Sequence, residues 1–456
     1  MTASLDQLFS PQAIAVVGAS NDAGKLGHQF FRRLAETFSG RTIAVTPNER
    51  SILGLETVPR VADVAGRIDV LIALVPAERL LDLVRDCPEG KVSYLLAVPS
   101  GFAEAPGCGR KRQDELVATA RAKGMRLIGP NTAGFFSSVT GLNGSLMPSL
   151  PPGGRGLSCV TQSGGFGMAL TMFAQDNDLK VARFCDIGNL GDLTYAEILT
   201  YLRDDPETSM VGLFMESAPD IAATRAALAA LAARKPVVLC PATRTSAGRR
   251  ASFVHLGVKP ALDDLLANLP QGVAVVETGL DLLNAAKLIA LRPGRVGRRI
   301  GVITGTGGIG AEIGDLALSA GLEVPALSAE LQERVGEGLP SYAGLVNPVD
   351  VTPVWRDYPR VYPDILDKLA RSGEVDAVIM SITDVPTTFP DLADALCRIE
   401  MPKLPVIVYW GSRDGDVGRM RQLQNAGFAC YRSTREAVLA LAAAVRCSGA
   451  PPETLA

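Results

Sequence analysis

The chain has 456 residues, roughly three domains' worth at about 150 residues each, and is long enough to bury its core without disulfide or metal staples. Hydrophobic residues make up 47% and charged residues 20%, with 46 Gly and 30 Pro, a turn-rich α/β composition that excludes a disordered, collagen-like or coiled-coil chain. Lys plus Arg (45) nearly balance Asp plus Glu (48), and a net charge of −3 supplies no general field for nucleic acid or an anionic membrane. A bound anion has to be held locally.

The opening MTASLDQLFSPQ lacks the basic start and apolar run of a signal peptide, and no later stretch keeps about 18 apolar residues free of charge or proline. A cytoplasmic protein is expected. The eight cysteines are scattered without a C-x-x-C pair, and only two histidines accompany them, so no metal site is expected in this chain. Cys159 in GLSCVT and Cys240 in VVLC read as reduced thiols packed as small hydrophobes.

Short Val-, Ile- and Leu-rich runs alternate with stretches of helical period, the pattern of βαβ units around buried parallel sheets. AIAVV (13–17), TIAVT (42–46), IDVLIALV (68–75), VSYLLAV (92–98) and MRLIG (125–129) predict the strands of a first doubly wound domain, residues 1–152. SLPPGGRG (149–156) breaks the pattern as an interdomain connection does. LSCVT (157–161), VARFC (181–185), MVGLFM (210–215), PVVLC (236–240) and GVAVV (272–276) predict a second domain, residues 153–292. After the basic RPGRVGRR (292–299), the runs RIGVIT (299–304), LEVPAL (322–327), DAVIM (376–380), LPVIVYW (404–410) and FACY (428–431) predict a third, residues 293–456.

Each domain opens with a strand, a glycine-rich turn and a helix. In the first, Gly18-Ala19-Ser20 leads into NDAGKLGHQFF, where backbone N–H groups and the helix start suit a phosphate-bearing ligand. The same glycines also serve tight strand-to-helix packing. The spacing is G-A-S-x5-K-x-G, and strand two ends in Thr46-Pro47-Asn48 with no acidic residue for a ribose 2′-OH, which argues against NAD. Val75-Pro76 and Pro99-Ser100-Gly101-Phe102 rim the same crevice. The second and third domains offer Gln162-Ser163-Gly164-Gly165 and Gly305-Thr306-Gly307-Gly308, each with N–H groups and a hydroxyl for an anion.

Of the two histidines, His28 lies early in a helix, where it faces solvent, caps or touches a ligand. His255 lies in TRTSAGRRASFVHLG (243–257), an arginine- and glycine-containing segment in which an imidazole has little reason to be core. A neutral imidazole is a nucleophile toward phosphorus, with Arg249 and Arg250 near in sequence to balance charge; a hydrogen-bonded structural histidine is the other reading. Glu216 ends a strand, where a carboxylate can fix a histidine tautomer or simply be solvated.

As an ordered set the residues resemble the nucleoside-diphosphate-forming acyl-CoA synthetases, the superfamily of succinyl-CoA synthetase and ADP-forming acetyl-CoA synthetase, in their α-subunit arrangement. The stretches that carry the resemblance are VVGAS (16–20), GKLG (24–27), SGFAE (100–104), RLIGPN (126–131), TQSGGFG (161–167), Gly188-Asn189, LRDDPET (202–208), Glu216, RKPVV (234–238) and NPVDVT (347–352). The resemblance implies an α/β chain with a CoA-binding Rossmann-like domain followed by two flavodoxin-like CoA-ligase domains. It implies synthesis of acyl-CoA from carboxylate, CoA and nucleoside triphosphate through acyl phosphate and phosphohistidine. By register with the family's R-T-E-A-G…S-H-T-G segment, Arg244, Gly248 and Gly257 align, and His255 takes the phosphohistidine position, with Glu216 orienting it. Ser163, Gly164 and Gly165, and Thr306, Gly307 and Gly308, match the paired helix starts that receive phosphate from two sides. Gly18, Ala19, Ser20, Lys25, Val75, Pro76, Ser100, Gly101 and Asn131 lie on segments that resemble the CoA and substrate crevice.

Val254 and Leu256 replace the family's serine and threonine beside the histidine, CPAT (240–243) stands where a lysine, serine or glycine run is usual, and the segment after the histidine is short. Nothing after residue 300 reads as an ATP-grasp unit, so the resemblance implies a separate ATP-grasp β subunit supplying ATP/ADP and Mg²⁺, and hence a hetero-oligomer acting on a small carboxylic acid. The alternative is a CoA- or acyl-CoA-binding protein that has lost the phosphoryl-transfer step. An NAD-dependent dehydrogenase is disfavoured by the first turn.

Overall fold

The computed structural model describes residues 4–250, 262–382, 390–411 and 417–448. His255, with Val254, Leu256 and Gly257, lies outside the described residues. The chain forms two compact units, Met1–Gly279 and Leu280–Ala456. Among the described residues no helix is long and apolar enough to cross a membrane.

The first unit holds two sheets. Strands β1 (Ala13–Val17), β2 (Arg41–Val45), β3 (Ser51–Ile52), β4 (Leu55–Val58), β5 (Ile68–Ala73), β6 (Val92–Ala97) and β7 (Arg126–Ile128) form one, in the order β3-β4-β2-β1-β5-β6-β7. All its pairings are parallel except β3 with β4. Ile14, Ala15 and Val16 are fully buried because helices cover both faces, which is why β1 reads as a continuous apolar run. The winding reverses at β1, with β2 on one side and β5 on the other, and the carboxyl ends of β1 and β5 are where sheets of this winding bind ligands.

The second sheet contains β8 (Gly134–Ser137), β9 (Leu142–Ser145), β10 (Gly153–Thr161), β11 (Val181–Asp186), β12 (Thr208–Met215), β13 (Val237–Pro241) and β14 (Val273–Val275), in the order β14-β13-β12-β10-β11-β8-β9. The antiparallel hairpin β8-β9 precedes the proline- and glycine-rich stretch yet pairs onto β11. One apolar core runs from Phe9, Phe30 and Phe31 to Tyr195, Ile198 and Leu199 and so belongs to both sheets. Phe9 stacks on Tyr201 at 5.4 Å and meets Phe135 edge-on at 6.2 Å.

The second unit holds β15 (Ile300–Thr304), β16 (Val349–Asp350), β17 (Ala377–Ile382), β18 (Val406–Trp410) and β19 (Ala429–Tyr431), all parallel, in the order β16-β15-β17-β18-β19. The strand expected at 322–327 reduces to a single bridge between Arg299 and Glu323. Pro325 has no N–H for a ladder, and the side chain of Asn347 takes the place of a neighbouring strand. It accepts from Val302 N at 3.0 Å and donates to Ile300 O and Pro325 O at 2.9 Å each.

The first and second sheets are also joined by charge. The Asp192 side chain, 2% exposed, accepts from Arg126 Nε at 2.7 Å and Leu127 N at 3.0 Å and pairs with Arg121 at 2.6 Å. Arg126 reaches on to both oxygens of Glu197. Burial opposes ionisation of Asp192, but Arg126, the Leu127 amide and Arg121 outweigh it and hold the carboxyl below its usual range. Since this carboxyl titrates lower in the folded chain than in the unfolded one, its contribution is complete above the ordinary carboxylate range and fades as pH falls through the depressed value. Asp192→Asn is expected to cost about 3 kcal/mol at pH 7. Urea denaturation should show the gap narrowing below about pH 4. A gap unchanged down to pH 3 would assign the loss to another cause.

Candidate active site

The helix Gly164–Asn177 begins where β10 ends. Thr161 Oγ1 accepts from Ser163 N at 2.8 Å and donates to Ser163 O at 3.3 Å, which turns the chain out of the sheet. Ser163 then caps the helix, its hydroxyl accepting from Phe166 N at 3.3 Å. The next N–H groups, on Gly164 and Gly165, belong to the first turn, which has no carbonyl of its own to bond. Glu216 follows β12, the neighbour of β10, and is 7% exposed. The buried Gln162 sets its place, with Oε1 accepting from Glu216 N at 2.8 Å, Ser217 N at 2.9 Å and Tyr195 OH at 3.1 Å. Thr243 Oγ1 donates to Glu216 O. Burial first, then the charges of Glu216 and Asp186, raises Tyr195 far above the usual phenol value, so it stays a neutral donor.

In the second unit, β15 leads into the helix Gly307–Ser319 in the same way. Thr304 Oγ1 accepts from Thr306 N at 3.1 Å and donates to Thr306 O at 2.9 Å. Thr306 makes no side-chain cap, and Thr306, Gly307 and Gly308 are all exposed. A Cβ on Gly308 would meet nothing within 4 Å, and one on Gly165 only Ser163 Oγ at 3.8 Å. Packing therefore explains neither glycine, and both leave the backbone of the first turn open to approach. Their neighbours differ. A Cβ on Gly164 would lie 2.8 Å from that of Ala133, and one on Gly307 would lie 3.1 Å from Asp350 Oδ2.

The first-sheet residues line one edge. Gly18 to Ser20 follow β1, Val75 and Pro76 follow β5, Ser100 and Gly101 follow β6, and Asn131 follows β7. Gly18 has φ +94°, and its added Cβ would touch Leu74 O at 3.0 Å; one on Gly27 would collide with Gly18 O. These two glycines serve packing of the turn on the helix Leu26–Thr37. Ala19 and Ser20 are buried, and Lys25 is exposed at the start of that helix, 3.9 Å from Asp22. His28 Nδ1 lies 3.0 Å from Ser20 O.

Residues that sequence reasoning did not select join this edge to the second sheet. Glu104 Oε1 accepts from Gly101 N at 2.5 Å and Phe102 N at 3.1 Å, while Oε2 accepts from Asn189 Nδ2 at 2.5 Å. Asn189 also donates to Gln113 at 3.2 Å and accepts from Asn131 Nδ2 at 3.2 Å. Asp186 accepts from Ala133 N at 2.6 Å and Gly188 N at 3.1 Å, continuing the chain of bonds toward Gly164. The signals were the SGFAE stretch and the Gly188-Asn189 pair, which carried the resemblance without a role. On either side of 251–261, Arg249 pairs with Asp263 at 2.7 Å and Arg244 with Glu277 at 3.2 Å. All eight cysteines are free; burial pushes Cys87 up to about 11 and Cys159 and Cys185 higher still, leaving inert thiols.

Residues 12–137 match the model of a CoA binding domain, and residues 154–289 that of the succinyl-CoA ligase like flavodoxin domain. The α subunit of acetate–CoA ligase (ADP-forming) II from Pyrococcus furiosus is 30% identical over 387 residues, 84% of this chain and 83% of that one. Acetate–CoA ligase (ADP-forming) I from Archaeoglobus fulgidus is 27% identical over 438 residues, 96% of this chain but 63% of that longer one. Among solved structures, acetyl-coenzyme A synthetase 1 of Ca. Korarchaeum cryptofilum, described as dinucleotide forming and in complex with phosphate and ADP, superposes with a TM-score of 0.86 at 26% identity, covering 98% of this chain and 97% of that one. The match across both sheets of the first unit and through the second unit, at the identity found for the Pyrococcus subunit, means that this chain belongs to the nucleoside-diphosphate-forming acyl-CoA synthetase family of CoA ligases.

Proposed function

We propose that this chain is the α-type subunit of an acid–CoA ligase that forms acyl-CoA from a small carboxylic acid, CoA and a nucleoside triphosphate, with a separate ATP-grasp β subunit binding ATP/ADP and Mg²⁺. The observation that carries the reading is the pair of helix starts of one design, Ser163–Gly165 and Thr306–Gly308, each with a glycine that packing does not require. Names of relatives as α subunits, beside longer single-chain relatives, support a partner outside this sequence.

In this reading His255 takes the terminal phosphoryl group, its ring nitrogen bonding phosphorus as the bond to the nucleoside diphosphate breaks. A carboxylate oxygen then attacks phosphorus, which frees the imidazole and gives an acyl phosphate. The sulfur of CoA attacks the acyl carbon, the thiol proton leaves, and inorganic phosphate departs. Glu216, its backbone pinned by Gln162 and Thr243, orients the imidazole. The N–H groups at residues 163–165 and 306–308 each receive phosphoryl oxygens. Gly18, Ala19, Ser20, Lys25, Val75, Pro76, Ser100, Gly101 and Asn131 form the crevice for CoA at the winding reversal of the first sheet. The alternative, a CoA-binding protein without phosphoryl transfer, rests on Val254 and Leu256, which cannot supply the hydrogen bonds of the family's serine and threonine.

The purified chain, combined with a matching β subunit, ATP, CoA and a panel of carboxylic acids, should form thioester, and His255→Asn should abolish it while CoA binding by calorimetry persists. CoA binding with no thioester from the wild type across the panel would establish the alternative.

Gly165→Ala and Gly308→Ala separate phosphate binding from folding. Both sit in a first helical turn, where alanine is favoured over glycine by up to about 1 kcal/mol. Melting temperatures should hold or rise, while thioester formation falls at least about tenfold because a methyl group stands where phosphoryl oxygens meet the backbone. Stable variants with full activity would contradict the phosphate role.

A further inference from the structure

Basic residues on the helix Leu26–Thr37 line a cavity that the proposed chemistry does not use. His28, Gln29, Arg32 and Arg33, with Ala23 and Pro148, line a solvent-open hollow of about 400 Å³ beside the turn after β1. Arg33 is 9% exposed. It donates from Nη2 to Ser145 O at 3.1 Å, and its guanidinium carbon lies 5.6 Å from the centre of the Phe30 ring. Its Nε has no hydrogen-bond partner, and among the described residues no carboxylate pairs with it. A guanidinium taken out of water without a counter-charge is costly, and burial followed by the charge of Arg32 lowers its pKa accordingly. Arg32 has only Glu36, at 3.6 Å with both side chains at least half exposed, a pair that contributes little. No acidic side chain lines the cavity.

We propose that this cavity binds a phosphate group through Arg32 and Arg33, with His28 beside them. A phosphate dianion answers two guanidinium charges where a monocarboxylate answers one, and its oxygens match the planar fork of arginine. The site is tied to the crevice. A carbonyl only accepts, so the contact of His28 Nδ1 with Ser20 O fixes the proton on that nitrogen and holds the ring to the turn at 3.0 Å. Two sources carry this chemistry, the ribose 3′-phosphate of CoA and free inorganic phosphate; the first rests on the CoA crevice proposed above, and the second does not.

Calorimetry with CoA, with dephospho-CoA, which lacks only the 3′-phosphate, and with inorganic phosphate distinguishes them. The full chain is compared with Arg32→Ala, at an exposed position, and with Arg33→Met, which keeps the stem, and thermal melts monitor folding. If the source is CoA, the wild type prefers CoA to dephospho-CoA by roughly tenfold or more, and the preference collapses in Arg32→Ala. If the source is free phosphate, its binding weakens by a similar factor in Arg32→Ala while the CoA to dephospho-CoA ratio stays fixed. A folded Arg32→Ala with both quantities as in the wild type, or a wild type with neither phosphate binding nor a preference for CoA, overturns the site. A wild type that binds phosphate but no CoA overturns the proposed function and leaves the site standing.

Discussion

The arrangement rests on buried and half-buried side chains that accept hydrogen bonds from the backbone of strand-end loops. Asp192 receives Leu127 N, Glu104 receives Gly101 N and Phe102 N, and Gln113 receives Ala103 N. Each also binds a group across the boundary between the first two sheets or beside it: Asp192 with Arg121 and Arg126, Glu104 and Gln113 with Asn189. A loop that moved away would leave the N–H groups of the buried residues Phe102, Ala103 and Leu127 unpaired, so satisfying the backbone and fixing the two sheets are one constraint. Burial opposes the charge on Glu104, yet the N–H groups of its own turn and the Asn189 amide keep its carboxyl below the usual range, so it remains an acceptor at neutral pH.

The same economy builds the two helix starts. A threonine at the end of a central strand, Thr161 or Thr304, holds the residue two positions on by both its N–H and its carbonyl. That bends the chain and directs the first helical N–H groups outward. The two starts are not equivalent. Ser163 uses its hydroxyl on the helix itself, while Thr306 makes no cap and Asp350 lies beside Gly307. A carboxylate lies near each start, Asp350 Oδ2 at 3.1 Å from a Cβ placed on Gly307 and Asp186 Oδ2 at 3.8 Å from one placed on Gly164.

Periodicity made most of the sheets legible, because parallel strands buried on both faces leave continuous apolar runs, as at AIAVV and PVVLC. The hairpin β8-β9 was hidden because its residues precede a proline- and glycine-rich stretch that reads as a boundary, and pairing across such a stretch leaves no local mark. The segment 322–327 misled because a side-chain amide, Asn347, replaces its ladder. At the site, the glycine-rich turns were visible from composition alone, but not their division of labour: Gly18 and Gly27 serve packing, while Gly165 and Gly308 face open space. Gln162 was invisible as the residue that holds Glu216, since a glutamine beside a glycine turn carries no periodic signal.

The central claim is that His255 carries a phosphoryl group, and the reverse reaction tests it on this chain without a partner. Incubation with a panel of acyl-CoA thioesters and radiolabelled inorganic phosphate, followed by alkaline digestion and mass spectrometry, reads the modification directly. The account predicts an alkali-stable, acid-labile phosphate on His255, formed only when thioester and phosphate are both present and absent from His255→Asn. A folded chain that binds thioester yet leaves His255 unmodified across the panel would contradict it.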